Sequence, residues 1–278
     1  MPKTWFITGA AGGLGAQIAA QALAAGDNVV ATDRDLDRLQ ASFPKPDPAL
    51  LLARLDVQDP TQAQAAAQAA RARFGRIDVL VNNAGYGQFG PFEQNSLAQI
   101  EQQFAVNLFG VMHVTRAVLP ILREQRAGYI INMSSNGGLV GVAGGSLYSA
   151  SKFALEGFSE ALALEVAQFG VKLTLVEPGA FRTDFLADGA IRYGDIAIAD
   201  YDAFAQERKA SNDGRSHQQR GDPRKLAQAL LVLVDEPNPP LRFVAGADAT
   251  ERVTAKLQGM AQEIQRWSAL STSTDTDD

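Results

Sequence analysis

The chain has 278 residues, a formal net charge of −6 and 46% hydrophobic residues. This length suits one large domain, and the mild acidity, with no basic stripe, argues against nucleic acid as a partner. The absence of cysteine and the presence of only two histidines exclude disulfides, a thiolate nucleophile and a histidine-rich metal site. The amino terminus lacks the apolar stretch of a signal peptide, and no apolar run approaches the roughly 18 residues of a membrane span. We therefore expect a cytoplasmic protein with no metal and no membrane partner.

Short β-branched runs alternate with alanine-rich stretches along the chain. This alternation is typical of strand–helix–strand units, in which a parallel sheet is covered by helices on both faces. The sequence thus predicts an α/β protein with a three-layer doubly wound (Rossmann) fold and a mostly parallel seven-stranded sheet. The predicted strands are 4–8, 28–32, 50–55, 77–81, 129–133, 172–176 and 241–245, and the predicted helices are 13–25, 35–42, 60–73, 97–122, 147–169, 223–235 and 249–268.

The domain organisation is expected to be simple. Residues 1–270 show no repeat and no linker, which predicts a single domain. Within it, residues 186–222 are predicted to be irregular, and a substrate loop is predicted at about 181–221. Residues 271–278 are predicted to form a polar, disordered tail.

A glycine-rich turn, TGAAGGLG, follows the first predicted strand and opens the first predicted helix. Glycine lets the backbone approach a ligand, and the free N–H groups of a helix amino terminus attract a pyrophosphate. A tight turn without a ligand is the alternative, but the position directly after the first strand favours a dinucleotide-binding domain. The residues expected to contact the cofactor here are Gly9, Gly12, Gly13, Leu14 and Gly15.

The residues after the second and third strands bear on the type of cofactor. Asp33 lies eighteen residues beyond Gly15, near the spacing at which a carboxylate binds the ribose hydroxyls of NAD and repels a 2′-phosphate. Arg34 could instead bind the phosphate of NADP, although Gly12 stands where a basic residue would be expected for NADP. NAD is therefore favoured, with NADP as the alternative, and Asp56 and Val57 are expected near the adenine.

Several polar residues are expected to meet at the carboxyl edge of the sheet. Asn82-Asn83-Ala84-Gly85 follows the fourth strand and Ser135 follows the fifth. Tyr148 and Lys152 are four residues apart and share one helix face. A phenol titrates near about 10, and a neighbouring ammonium and a helix amino terminus are expected to lower its pKa until it can exchange a proton with an alcohol.

In this order and spacing, the motifs resemble those of the short-chain dehydrogenase/reductase family over about residues 4–183. The resemblance implies Tyr148 as the general acid/base, Lys152 as the group that lowers the tyrosine pKa and holds the nicotinamide ribose, and Ser135 as the donor to the substrate oxygen. Further implied roles are a water site at Asn107, ribose contacts at Asn82, Ala84 and Gly85, bracing of the sheet by Asn83, and nicotinamide contacts at Pro178, Gly179 and Thr183.

The predicted function is hydride transfer between a nicotinamide cofactor and a secondary alcohol or ketone. The alternatives are an NADP-dependent carbonyl reductase and, with less support, a non-catalytic dinucleotide sensor. A homodimer or homotetramer is expected through helices 97–122 and 147–169. A bulky or hydrophobic small-molecule substrate is suggested by the loop residues Tyr86, Phe89, Phe92, Leu139, Val140, Phe181, Phe185, Leu186, Ile191 and Tyr193.

Overall fold

The structure is a computed structural model that describes residues 1–186 and 191–276. Its main sheet has seven parallel strands in the order β3-β2-β1-β4-β6-β7-β9, and β5 pairs with β8 in a separate two-stranded sheet. The predicted doubly wound architecture is confirmed. The strands are β1 (Thr4–Thr8), β2 (Asn28–Asp33), β3 (Leu50–Arg54), β4 (Val79–Asn82), β5 (Gly87–Phe89), β6 (Gly128–Met133), β7 (Val171–Pro178), β8 (Ile191–Tyr193) and β9 (Arg242–Ala245).

Helices cover both faces of the sheet and enclose two apolar cores. The inner strands carry apolar residues almost continuously, because a parallel sheet is buried on both faces, and every residue of β1 is buried. One core lies under α3, α5 and α6, and the other lies under α1 and α8. The helices are α1 (Gly13–Ala24), α2 (Leu36–Ser42), α3 (Pro60–Phe74), α4 (Leu97–Phe104), α5 (Gly110–Gln125), α6 (Ser146–Val166), α7 (Asp202–Arg215), α8 (Pro223–Asp235) and α9 (Ala247–Thr272).

Local sequence sets the ends of α3. The Asp59 side chain accepts hydrogen bonds from the backbone N–H groups of Thr61 and Gln62, and proline occupies the first helical position. Gly75 ends the helix with φ of 79°, a left-handed conformation that favours glycine. Both predicted boundaries of this helix are confirmed within a residue.

The predicted helix 97–122 is one helical stretch, 97–125, that is interrupted by a π-helical turn. A π-helical segment, 105–109, separates α4 from α5, and such segments are common at functional sites. The stretch Leu97–Gln125 also has the length and hydropathy of a membrane span, contrary to the expectation of no such run. However, 56% of its most apolar window is buried inside the protein, which is the pattern of a core helix.

Two further segments differ from the prediction. The stretch 186–222, predicted to be irregular, contains the short strand β8 and the fourteen-residue helix α7. Residues 187–190 of the predicted substrate loop lie outside the described residues. The last helix, α9, continues to Thr272, so the first two residues of the predicted disordered tail are helical.

The sheet order determines where a ligand can bind. The connections from β1 and β4 lead to opposite faces of the sheet, which opens a crevice at their carboxyl ends. The glycine-rich turn follows β1, the NNAG segment follows β4, and Ser135 follows β6. All three segments therefore lie at one edge of the sheet.

Candidate active site

A cavity of about 750 Å³ occupies this carboxyl edge. It extends from the glycine-rich turn and Asp33 at one end to Ser135, Tyr148 and the segment after β7 at the other. A single cavity therefore brings the predicted cofactor residues and the predicted catalytic residues together. Of the predicted cofactor and catalytic residues, those that line it are Gly9, Gly12, Gly13, Leu14, Asp33, Asp56, Val57, Ala84, Gly85, Ser135, Tyr148, Lys152, Pro178, Gly179 and Thr183.

The glycine-rich turn presents the amino terminus of α1 to the cavity. Gly12 caps the helix without a side-chain hydrogen bond, so the first N–H groups of the helix have no capping side chain. Within residues 1–186 and 191–276, a Cβ at Gly12 would meet only Arg38, at 3.8 Å from Nη2, and this leaves open space above the turn. Gly15 does not line the cavity. Its missing Cβ instead makes room for the Gly9 carbonyl and the Asn83 amide, so Gly15 allows the turn to pack closely.

At the end of β4, the Asn82 side chain differs from the prediction, whereas Asn83 braces the sheet as expected. Asn82, expected at the cofactor ribose, is buried, and its Nδ2 donates to Thr115 Oγ1 at 3.0 Å and to Asn132 Oδ1 at 2.8 Å. Asn82 therefore ties β4 to α5 and β6. Asn83, expected to brace the sheet, lines the cavity, and its Nδ2 donates to the carbonyl oxygens of Thr8 and Gly9 at 2.9 and 3.1 Å. It holds the glycine-rich turn in place.

Charged residues of both signs surround the end of β2. The Asp33 carboxylate accepts hydrogen bonds from the Ala11 and Asp35 backbone N–H groups at 3.3 and 3.1 Å, which fixes it at the cavity wall. Arg34 and Arg38 line the same part of the cavity. The sequence reasoning missed Arg38, which lies in α2 beside the glycine-rich turn. Its position, four residues after Arg34, could have indicated it.

The remaining cofactor residues predicted from the sequence line the cavity walls. Asp56 Oδ1 accepts from the Gln58 backbone N–H at 3.0 Å, so its carboxylate is held against its own loop. Gly179 has no Cβ, which leaves room for Asp248, whose Oδ2 accepts from the Ala180 N–H at 2.9 Å. The Thr183 side chain faces the turn, with its Cβ 3.8 Å from the position of a Cβ at Gly13.

Tyr148 lies in the first turn of α6, and its ring contacts two phenylalanines. The ring centroids of Phe89 and Phe185 are 5.3 and 5.8 Å away. Burial raises the pKa of Tyr148 to about 12, and a hydrogen bond with Ser135 opposes that rise. The predicted lowering of the tyrosine pKa is therefore wrong for the protein without ligand, because removal from water outweighs the neighbouring groups.

Lys152 lies one turn further along α6 and is also buried. Its Nζ donates to the Met133 carbonyl at 2.7 Å and lies 5.9 Å from the centroid of the Tyr148 ring. Burial lowers the pKa of Lys152 to about 8, and the negative charge of Glu156 opposes this change. The ammonium is thus near the phenol ring as predicted, yet it hydrogen-bonds to the end of β6.

Asn107 lies in the π-helical segment, and among the described residues it is not part of the cavity wall. Its Oδ1 accepts from the Tyr86 N–H at 3.1 Å, and its Nδ2 donates to the Tyr86 carbonyl at 2.9 Å. Both polar atoms of the side chain therefore hold the backbone of Tyr86. Its predicted water site stays a prediction.

The predicted substrate residues separate into two groups. Tyr86, Phe89, Phe181, Phe185 and Leu186 line the cavity, as expected. The others do not line it within the described part of the chain, and they are Phe92, Leu139, Val140, Ile191 and Tyr193. Polar residues in and near α7 also line the cavity, and they are Arg192, Arg208, Asn212, Arg215 and Gln219. Sequence reasoning missed them because residues this far from the motifs carry no signal of their own.

These features fit a dinucleotide. The uncapped helix end and the open space above Gly12 suit a pyrophosphate, and Asp33 supplies acceptors for ribose hydroxyls. A doubly wound sheet with this cavity and a tyrosine–lysine–serine group at its carboxyl edge defines a class of dinucleotide-dependent oxidoreductases.

Comparison with known proteins agrees with this class. Residues 3–190 match the short chain dehydrogenase family. The chain is 39% identical to oxidoreductase BOA17 of Botryotinia fuckeliana over 98% of each chain, and 39% identical to a 3-ketodihydrosphingosine reductase of Bacteroides thetaiotaomicron over 88% of each. It is similar to the crystal structure of a short-chain dehydrogenase from Streptomyces avermitilis, with 39% identity, a TM-score of 0.89 and coverage of 99% of this chain and 100% of that one.

The chain belongs to the short chain dehydrogenase family. It is an oxidoreductase.

Proposed function

We propose that this protein transfers a hydride between a nicotinamide cofactor, preferably NAD, and a secondary alcohol or ketone, with Tyr148 as the general acid/base. The observation that carries this proposal is that Ser135, Tyr148 and Lys152 share one cavity with the glycine-rich turn and Asp33. The nicotinamide, when bound, supplies the site that accepts or donates the hydride.

Each side chain has a role that follows from its environment. In ketone reduction, the Tyr148 hydroxyl donates a proton to the substrate oxygen, and its raised pKa keeps it protonated at neutral pH. The Ser135 hydroxyl donates a hydrogen bond to the same oxygen and stabilises the charge that develops there. In alcohol oxidation Tyr148 accepts the proton. The Lys152 ammonium lies beside the phenol ring, where its positive charge favours the phenolate once the proton has left.

Asp33 supports the preference for NAD. Its carboxylate lines the cavity after β2 and is held by two backbone N–H groups. In this position it accepts hydrogen bonds from the ribose hydroxyls of NAD, whereas the phosphate of NADP would meet a like charge.

Use of NADP for carbonyl reduction is the second candidate function. The observation that favours it is that two arginines, Arg34 and Arg38, line the cavity next to Asp33. Two guanidinium groups at this position would bind a 2′-phosphate with charge-assisted hydrogen bonds.

Parallel fluorescence titrations with NADH and NADPH test the proposal. Tighter binding of NADH, reversed in favour of NADPH by Asp33→Ala, is the expected result. Tighter NADPH in the wild type, weakened by Arg38→Gln, would support the second candidate. A protein that binds neither cofactor would contradict both.

The apolar wall beside Tyr148 supports a bulky or hydrophobic substrate, since the rings of Phe89 and Phe185 both pack next to the phenol. We also propose a homodimer or homotetramer in the cytoplasm. In the helices expected to form the interface, Leu108 is buried in the subunit core, but Phe153 on α6 is 45% exposed. Phe109, between α4 and α5, is 50% exposed as well. Light scattering measures the oligomeric state, and a strict monomer would contradict the proposed assembly.

A further inference from the structure

We propose that the substrate side of the cavity is an anion-binding subsite formed by Arg192 and the Tyr86 hydroxyl. The substrate would then be an alcohol or ketone that carries an anionic group, such as a carboxylate, some distance from the reacting carbon. This inference rests on the proposed function and deepens it by naming the substrate class.

The Arg192 backbone and guanidinium are both held by neighbouring groups. It lies in β8, which pairs in parallel with β5 so that Arg192 stands opposite Gln88. Its guanidinium carbon lies 4.8 Å from the centroid of the Tyr86 ring, and both residues line the cavity. Stacking on an aromatic face leaves the N–H groups at the edge of a guanidinium available for a planar anion. Arg192 thus presents a positioned cation to the cavity.

Tyr86 adds a hydrogen-bond donor that lacks a partner. Asn107 holds its backbone at both the N–H and the carbonyl. The Tyr86 side chain is 9% exposed, and its hydroxyl oxygen is buried with no hydrogen-bond partner in residues 1–186 and 191–276. A buried polar group without a partner is costly, and an anionic ligand oxygen would remove this cost by accepting a hydrogen bond from the hydroxyl. The clamp by Asn107 therefore fixes a donor beside the arginine.

The charge balance of the cavity also favours an anion. Each of the four aspartates that line the cavity has a partner. Backbone N–H groups donate to three of them: those of Ala11 and Asp35 to Asp33, that of Gln58 to Asp56, and that of Ala180 to Asp248. The carboxylate of Asp184 lies 3.6 Å from the His217 ring. Arg192, Arg208 and Arg215 line the same cavity, and their side chains form no ion pair or hydrogen bond with any described residue. The described lining of the whole cavity contains six arginines and one lysine against four aspartates, so the cavity has an excess of positive charge although the whole chain carries −6.

Arg208 lies at the substrate end of the cavity. Its Cγ lies 3.7 Å from the position of a Cβ at Gly144, and Gly144 accepts a hydrogen bond from the Gly90 N–H at 2.8 Å. Gly90 follows Phe89, which stacks on Tyr148. The arginines thus flank the apolar wall beside the proposed general acid/base, whereas Arg34 and Arg38 lie at the other end, near Asp33.

Two pairs of ketones that differ only in charge test the subsite. The probes are 4-acetylbenzoate with its methyl ester, and levulinate with its methyl ester. Calorimetry measures their dissociation constants with the protein saturated by the cofactor that binds more tightly. We expect each acid to bind about tenfold or more tightly than its ester, with the difference reduced at high salt.

Variants assign the effect to the proposed residues. Arg192→Gln should weaken binding of the acids about tenfold and leave the esters unchanged, and Tyr86→Phe, which keeps the ring under Arg192, should weaken the acids about threefold. The control is Arg116→Gln, which removes an exposed arginine of α5 that lies away from the cavity and should have no effect.

The outcomes separate this inference from the proposed function. If neither acid binds more tightly than its ester, including the case where none of the four binds, the subsite is overturned. The same conclusion follows if Arg192→Gln weakens acids and esters equally. Failure to bind NADH and NADPH would instead overturn the proposed function, because the subsite lies outside the cofactor end of the cavity.

Discussion

Replacement of Lys152 by methionine should stabilise the cofactor-free protein while it abolishes turnover. Burial lowers the pKa of this lysine from 10.5 to about 8, so keeping the ammonium inside the folded protein costs about 3 kcal/mol at pH 7. Methionine has a similar length and no charge. The substitution also removes the hydrogen bond from Nζ to the Met133 carbonyl, which costs about 1 kcal/mol. The net expectation is a gain of about 2 kcal/mol, or about 3 °C in Tm.

Urea and thermal unfolding, followed by circular dichroism at pH 7 without cofactor, measure this gain. The folded lysine loses its proton near pH 8 and the unfolded lysine near 10.5, so the stability of the wild type rises with pH in this window. The advantage of Lys152→Met should therefore shrink between pH 8 and 10.5. Lys172→Met is the control, because its ammonium bonds the Glu236 carbonyl near the surface, and it should change stability by less than about 0.5 kcal/mol. A loss of stability in Lys152→Met at pH 7 would refute this reasoning.

Two further predictions concern buried polar groups. Burial, and to a smaller extent the negative charge of Glu156, raise the pKa of Glu177 to about 8, and Arg242 opposes the shift. The folded wild type therefore binds this proton more tightly than the unfolded chain, so its stability should fall as pH rises from about 4.5 to about 8. Glu177→Gln should unfold at nearly the same urea concentration across that window, and a fall as steep as in the wild type would contradict the assignment. Asn82→Ala should lower stability by about 2 kcal/mol because it breaks the bonds to Thr115 and Asn132, yet NADH affinity in a fluorescence titration should change less than about twofold. If Asn82→Ala weakened NADH binding and left stability unchanged, Asn82 would be a cofactor contact, as the sequence predicted.

The sheet and the site were largely predictable because they depend on local patterns. Apolar runs of strand length mark the buried parallel strands, and Asp59 with Pro60 marks the start of α3. The proposed catalytic residues could be selected from the sequence because strand ends and a four-residue helical spacing place Ser135, Tyr148 and Lys152 at one edge, where all three line the cavity.

The features that sequence missed depend on three-dimensional burial. Adjacent asparagines have the same chemistry, and only packing against Thr115 decides that Asn82 points into the core while Asn83 faces the turn. The pKa of Tyr148 rises because the phenylalanines exclude water, and their approach in space is not visible from spacing along the chain.

Helix α7 was missed for a different reason. Its sequence, DAFAQERKASNDGR, is mostly polar, and no residue in it is buried, so it lacks the apolar periodicity that indicates a helix. Arg208 and Arg215 belong to this helix, and the cationic wall of the cavity was missed with it.

The most direct test of the account is the effect of Tyr148→Phe on cofactor binding and turnover, measured side by side. The account predicts that NADH binds with an unchanged dissociation constant while ketone reduction falls by about a thousandfold, since the phenylalanine keeps the contacts with Phe89 and Phe185 but has no proton to donate. Tyr201→Phe, a tyrosine outside the cavity wall, should reduce ketones at the wild-type rate. Turnover by Tyr148→Phe close to that of the wild type would contradict the role of Tyr148 as the general acid/base.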